Sequence, residues 1–148
     1  MMIKKIFFDA NIILDMIDSD RGNVDKVKKL VYNALMKDIS LYTSCDILSN
    51  VYYVGRKKLA KNILVEEMLR IVEIFDIVAI DKSLAKKALL ENRINLPLDF
   101  EDLLQSQCAV VSECDLIVTN DKKFVKGDVK HLSLDEALEL ILGSKLIL

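Results

Sequence analysis

The chain reads as an α/β domain with a mainly parallel sheet and helices on both faces. Three observations predict this class. Short apolar runs alternate with amphipathic stretches from one end to the other, the pattern that βαβ units require. Hydrophobic residues make up 52% of the 148 residues, enough for one domain with a sizeable core. Only four Gly and one Pro punctuate the chain, which leaves little of it for open loop.

Taken in order, residues 3–8 are the first predicted strand, centred on Ile6, Phe7 and Phe8. Residues 23–37 follow as a helix, because Val24, Val27, Leu30, Val31, Ala34 and Leu35 recur at helical spacing. Residues 39–43 read as a second strand. Helix 46–58 puts Ile47, Val51 and Val54 on one face, with Asp46 placed to cap it. Helix 62–75 aligns Leu64, Met68, Ile71 and Phe75. A third strand, 76–80, leads to helix 82–92, capped by Asp81. Pro97 separates that helix from the next, 99–113, in which Leu104, Cys108 and Val111 align. Strands 115–119 and 129–132 and a helix at 134–142, ending near Gly143, complete a single domain over 1–148. There is no repeat, low-complexity stretch or linker.

Composition excludes several classes. A net charge of −2 argues against a general nucleic-acid binder, since such binding runs on Lys and Arg. Two local basic clusters, Arg56-Lys57-Lys58 with Lys61 and Lys122-Lys123 with Lys126, read first as solvated faces. Cys45, Cys108 and Cys114 lack zinc-site spacing and are expected as buried small hydrophobes in a reducing compartment. His131 is the single histidine, so a His-rich metal site is excluded. Tyr52 and Tyr53 are expected in the core. The apolar stretch after Lys4 and Lys5 is too short for a signal peptide, and no run reaches the length of a membrane span. A cytoplasmic protein is expected.

The acids carry the chemistry. Asp9 closes the first strand, and Asp121 lies just past the tip of the fourth. Helix 99–113 leads into strand four, so its N-terminus, with Asp99 and Asp102, must lie at the same edge of the sheet. Ligands in such sheets bind at the carboxyl ends of the strands, where the winding direction switches. If strands one and four are neighbours there, Asp9, Asp102 and Asp121 converge, and Asn50 points towards the same crevice from one turn inside helix 46–58. Crowded carboxylates repel one another, and hard ions such as Mg²⁺ or Mn²⁺ prefer their oxygens. A bound ion activates water and stabilises charge on a phosphate oxygen, so phosphodiester hydrolysis is the expected reaction. Each acid also has a structural reading. Asp99 and Asp102 resemble a capping box, Asp121 can serve a turn, and Asp15 and Asp81 are weaker candidates.

The same residues resemble the PIN domain, the ribonuclease fold of VapC-type toxins. Phe8-Asp9-Ala10-Asn11-Ile12-Ile13-Leu14-Asp15 is similar to the family's first motif, an acid followed two residues later by a small polar residue. Thr43-Ser44 through Asn50-Val51-Tyr52-Tyr53 is similar to its second segment, and Asp99-Phe100-Glu101-Asp102-Leu103-Leu104 to its third. Ile117-Val118-Thr119-Asn120-Asp121 with Phe124 is similar to its fourth. The resemblance implies a three-layer domain with a five-stranded parallel sheet in the order 3-2-1-4-5. It implies Mg²⁺- or Mn²⁺-dependent cleavage of single-stranded RNA, with Asp9, Asp102 and Asp121 as catalytic metal ligands. Asn11 and Thr119 would orient them, supported by Asn50, Asp99 and Asn120. Partners implied are an RNA substrate and an antitoxin protein. The chain departs from the pattern at Asn50, where many members carry a Glu; one PIN subgroup has Asn there.

Two other classes compete. A phosphoacceptor or phosphatase domain also puts acids at strand tips. Receiver domains need an Asp at the third tip, which Asp81 could mimic, and a Lys at the fifth, where this chain has His131-Leu132. Haloacid-dehalogenase-type enzymes commonly need a second Asp at the position of Asn11. The remaining class is a catalytically silent RNA- or protein-binding module, for which Asn50 speaks. The apolar end Leu146-Ile147-Leu148 suggests docking on the domain or a homodimer contact.

Overall fold

The computed structural model describes residues 2–143. The apolar end at 146–148 lies outside them. Ile6, Phe7 and Phe8 lose all contact with solvent because their strand, β1 (Lys5–Phe8), occupies the middle of the sheet. It is flanked by β2 (Ser40–Ser44) and β4 (Leu116–Val118), with β3 (Asp76–Val78) and β5 (Lys130–Leu132) at the edges. The order is β3-β2-β1-β4-β5 and every pairing is parallel, as the family resemblance implied. Both faces are covered by helices, which is why β1 and β4 read as unbroken apolar runs while Asp76 and Lys130 are tolerated on the edges.

Seven helices surround the sheet among the described residues: α1 (Ala10–Ile17), α2 (Val24–Met36), α3 (Cys45–Gly55), α4 (Lys61–Ile74), α5 (Lys82–Ile94), α6 (Phe100–Val111) and α7 (Leu134–Leu142). Helices α2 to α7 lie where periodicity placed them. Helix α1 and the 3-10 turn Ser19–Arg21 were not foreseen. The reason is physical. Ala10, Ile12, Ile13, Leu14, Asp15 and Ile17 are all buried, and a mostly apolar stretch of eight residues following β1 directly is too short for periodicity to separate from a buried strand.

Three local expectations need correction. Asp46 does not cap α3. Strand β2 runs directly into the helix, so Ser44 is the capping position, and its hydroxyl donates to the Asp46 carboxylate in the first turn. That carboxylate instead meets the positive end of the helix dipole. Tyr53 is 56% exposed rather than in the core, because it lies on the outer face of α3 with Arg56 over its ring at 4.4 Å. Cys45 is exposed, whereas Cys108 and Cys114 are buried. Asp81 does cap α5, accepting from the Leu84 amide at 2.9 Å.

Packing fixes the frame. Phe8 meets Phe75 edge-on at 5.0 Å, tying the end of β1 to the end of α4. A Cβ on Gly55 would sit 2.8 Å from the Leu64 Cδ1 atom, so the glycine lets α3 approach α4 closely. No helix among the described residues is long and apolar enough to cross a membrane.

Candidate active site

The chain winds outward from β1 to β2 and β3, then returns to place β4 on the other side of β1. The switch point therefore falls between β1 and β4, where Phe8 stands opposite Val118. The ladder continues one residue past each strand. The Asp9 amide donates to the Val118 carbonyl at 3.0 Å, and the Thr119 amide to that of Leu132 at 2.9 Å. Asp9 and Thr119 thus stand side by side at the carboxyl edge, as the sequence argument required.

Asp9 is 5% exposed and well supplied with donors. Its Oδ1 accepts from the Ala10 amide at 2.7 Å, capping α1. Its Oδ2 accepts from Asn11 Nδ2 at 3.0 Å and from the Thr119 hydroxyl at 2.7 Å. Asn11 also donates to Thr119 Oγ1 at 3.2 Å and accepts from the Asn120 amide at 3.1 Å. Thr119 Oγ1 in turn accepts from the Asp121 amide at 3.1 Å. One side-chain network therefore fixes the acid of the first loop and the backbone of the second. Asn120 anchors the far end, its Oδ1 accepting from the Leu134 amide at 3.0 Å. Asp121 turns its own loop by accepting from the Lys123 amide at 2.9 Å.

Asp102 is held differently. Asp99 caps α6, accepting from the Asp102 amide at 3.0 Å. The reciprocal half of a capping box is not made, and the Asp102 carboxylate accepts no hydrogen bond among the described residues. Burial, followed by the charges of Asp99, Asp121, Asp9 and Glu101, pushes its carboxyl up to about 7. Burial also raises Asp9, against the lowering effect of Thr119 and Ala10, and the Asp121 charge raises it further. The three acids thus share one electrostatic neighbourhood.

They do not form a closed cage: no group of three or more His, Cys, Asp or Glu among the described residues is close enough to enclose an ion. The donor set suits a hard ion that keeps several waters and takes only one or two carboxylates directly. Asp102 and the second oxygen of Asp121 have free lone pairs for it, and Asp9 Oδ1 retains one.

Asn50 is half-buried on α3 and makes no hydrogen bond to these acids among the described residues. Asp15 belongs to another network. It is 2% exposed, and it accepts from Arg21 Nε at 2.6 Å and Asn23 Nδ2 at 3.2 Å. Arg21 also reaches the Asn11 carbonyl at 3.4 Å. The signal for it was present: an Asp inside an apolar run needs a partner nearby. Burial pushes the Cys108 and Cys114 thiols up to about 12, so neither is a nucleophile at neutral pH.

The fold and its acid-lined switch point define the class, and comparison with known proteins agrees. The PIN domain pattern matches residues 5–123. The chain is 33% identical to ribonuclease VapC1 of Aquifex aeolicus over 138 residues, covering 92% of this chain and 94% of that protein. The chain belongs to the PIN-domain family. Among solved structures, VapC20 of Mycobacterium tuberculosis, a toxin that cleaves the sarcin-ricin loop, superposes with a TM-score of 0.65 at 13% identity, covering 80% of this chain and 92% of that one. A toxin–antitoxin complex from Klebsiella pneumoniae gives 0.64 at 18% identity, covering 87% and 97%. These two likenesses show the fold.

Proposed function

We propose that this chain is a divalent-ion-dependent endoribonuclease and the toxin of a toxin–antitoxin pair. One observation carries the reading: burial, with the charges of Asp99, Asp121 and Asp9, raises the Asp102 carboxyl, and that carboxylate accepts no hydrogen bond among the described residues. The kinship with ribonuclease VapC1 supports RNA as the substrate, and the Klebsiella complex supports an antitoxin partner. Both roles fit a cytoplasmic protein.

When bound, Mg²⁺ or Mn²⁺ supplies an activated water and offsets charge on the phosphate. The chain's residues do the rest. Asn11 and Thr119 hold the Asp9 carboxylate in one orientation, so it loses little freedom when it takes up a cation. Asp121 is held through its backbone by Thr119 and presents its carboxylate at the mouth of the crevice. Asp102, whose carboxylate accepts no hydrogen bond among the described residues, would offer an oxygen to the ion. Asn50 would bring an uncharged carbonyl where many PIN domains carry a Glu, one negative charge fewer.

The test is cleavage of single-stranded RNA by the purified chain with Mn²⁺, Mg²⁺ or EDTA, alongside Asp9→Asn and Asp102→Asn. Cleavage that needs the ion and disappears in both variants is expected. No cleavage together with no Mn²⁺ binding would overturn the proposal in favour of a silent binding module, with Asn50 and the open acid cluster as the cause.

A further inference from the structure

A cavity of about 360 Å³ opens beside Asp121, next to Thr119, the hydroxyl partner of Asp9. Thr119, Asn120 and Asp121 form one wall, and Lys122, His131, Ser133, Asp135 and Glu136 line the rest. Of these last two acids, Asp135 pairs with Lys26 at 2.9 Å and Glu136 accepts from the Ser133 amide at 3.0 Å. The nuclease chemistry described above uses the first wall only. The second has the features of a binding pocket.

His131 lies on β5, opposite Ile117 of β4. Its ring is half-buried and packs against the buried Phe124 at 5.4 Å, tilted by 56°. Neither imidazole nitrogen has a hydrogen-bond partner among the described residues. A ring held from one side, with both nitrogens unspent, is ready to stack on or hydrogen-bond to a flat heterocycle. Lys122 follows Asp121 directly and forms no ion pair among the described residues. Its ammonium adds a positive charge at the mouth of an otherwise acidic site, where a phosphate must pass.

We propose that this cavity is a nucleotide subsite. It takes the base of the RNA residue next to the scissile phosphate, with His131 as the base contact and Lys122 as the phosphate contact. The subsite rests on the ribonuclease reading and extends it, because it gives the enzyme a means of preferring one base beside the cut. Pairing of β4 with β5 delivers His131 to the pocket, and the Asn120 bond to the Leu134 amide keeps the opposite wall in place.

His131 is the only histidine in the chain, so its ring proton resonances report on the cavity without ambiguity. The experiment is a proton NMR titration of the whole chain with Mg²⁺ at one fixed pH above neutrality. The probes are the four ribonucleoside monophosphates and inorganic phosphate. Saturable shifts of the His131 signals are expected, several-fold tighter for one base than for another, with a several-fold weakening for all four in Lys122→Ala. No saturable shift, or the same shift with inorganic phosphate, would overturn the subsite. The readout needs no cleavage. Nucleotide binding without ion-dependent RNA cleavage would sink the ribonuclease reading and leave a nucleotide-binding cavity with no role beside a cut, whereas cleavage with a silent His131 would sink the subsite alone.

Discussion

The two sides of the crevice present their acids in opposite ways. At the β1–α1 corner, Asp9 is almost wholly buried but accepts three hydrogen bonds, from Ala10, Asn11 and Thr119. In the first turn of α6, Asp102 is less buried and its carboxylate accepts none among the described residues. The first acid is held by hydrogen bonds from the fold; the second is not, and its carboxyl is raised to about 7 by burial and by the acids around it. A buried carboxylate can thus be kept in place by architecture or by a ligand, and hydrogen bonding rather than burial tells the two apart.

The largest effect that sharpens this contrast is Asp9→Ala. It leaves the Asn11 amide, the Thr119 hydroxyl and the Ala10 amide without their acceptor. Each such loss costs about 1–3 kcal/mol, so thermal unfolding should show a large drop in Tm together with loss of cleavage. Asp9→Asn keeps the shape but places an NH₂ donor where one carboxylate oxygen stood, so it folds with a smaller loss. Equal Tm values for wild type and Asp9→Ala would contradict the architectural role.

Arg21→Ala comes next. It removes the cation facing buried Asp15, leaving Asn23 as the remaining partner. A loss of about 2 kcal/mol is expected in denaturant unfolding, smaller if water reaches the site past the partly exposed arginine. Because Arg21 also touches the Asn11 carbonyl, ion affinity should fall slightly as well. No change in stability would remove Asp15 from the buried framework.

Asp102→Asn should act with the opposite sign to Asp9→Ala. It abolishes cleavage, but in the metal-free protein above pH 7 it raises Tm by roughly 2–4 °C, because an uncompensated charge disappears. The pH dependence follows from the same residue. Its carboxyl is raised from 3.8 to about 7 in the folded chain. Between those values the folded state keeps a proton that the unfolded chain has released, so stability falls as pH rises through that window. Saturating Mg²⁺ should flatten the fall, and Asp102→Asn should remove its contribution. A metal-free Tm that rises across this window would point to another group.

The smallest expected effect is at Asn50. Asn50→Glu restores the carboxylate found in many PIN domains and should raise Mn²⁺ affinity a few-fold by calorimetry. An unchanged affinity would mean that α3 presents this position away from the acids.

Most of this geometry was legible before any coordinates, for reasons that particular residues make clear. The apolar runs of β1 and β4 are buried on both faces, so they signal a parallel sheet and carry Asp9 and Asp121 to one edge. Pro97 and Asp99 mark the start of α6, and hence Asp102, because capping chemistry is local. Helix α1 was hidden because its eight mostly apolar residues follow β1 directly, too short a stretch for periodicity to set apart. The cap of α3 was misplaced by two positions, at Asp46 rather than Ser44, because β2 passes into the helix without a loop. Pairing between Asp15 and Arg21 depends on the turn after α1, which the sequence reading did not resolve. The cavity beside Asp121 could not be read at all. His131 reaches it only through the pairing of β4 with β5, ten residues after the acid.

The most direct test of the contrast is carboxyl-carbon NMR of Asp102, titrated with pH in the absence and presence of Mg²⁺. A midpoint near 7 without the ion, driven well below that value when the ion is added, is the predicted result. A midpoint in the ordinary carboxylate range that ignores Mg²⁺ would contradict it, and with it the placement of Asp102 in a divalent-ion site.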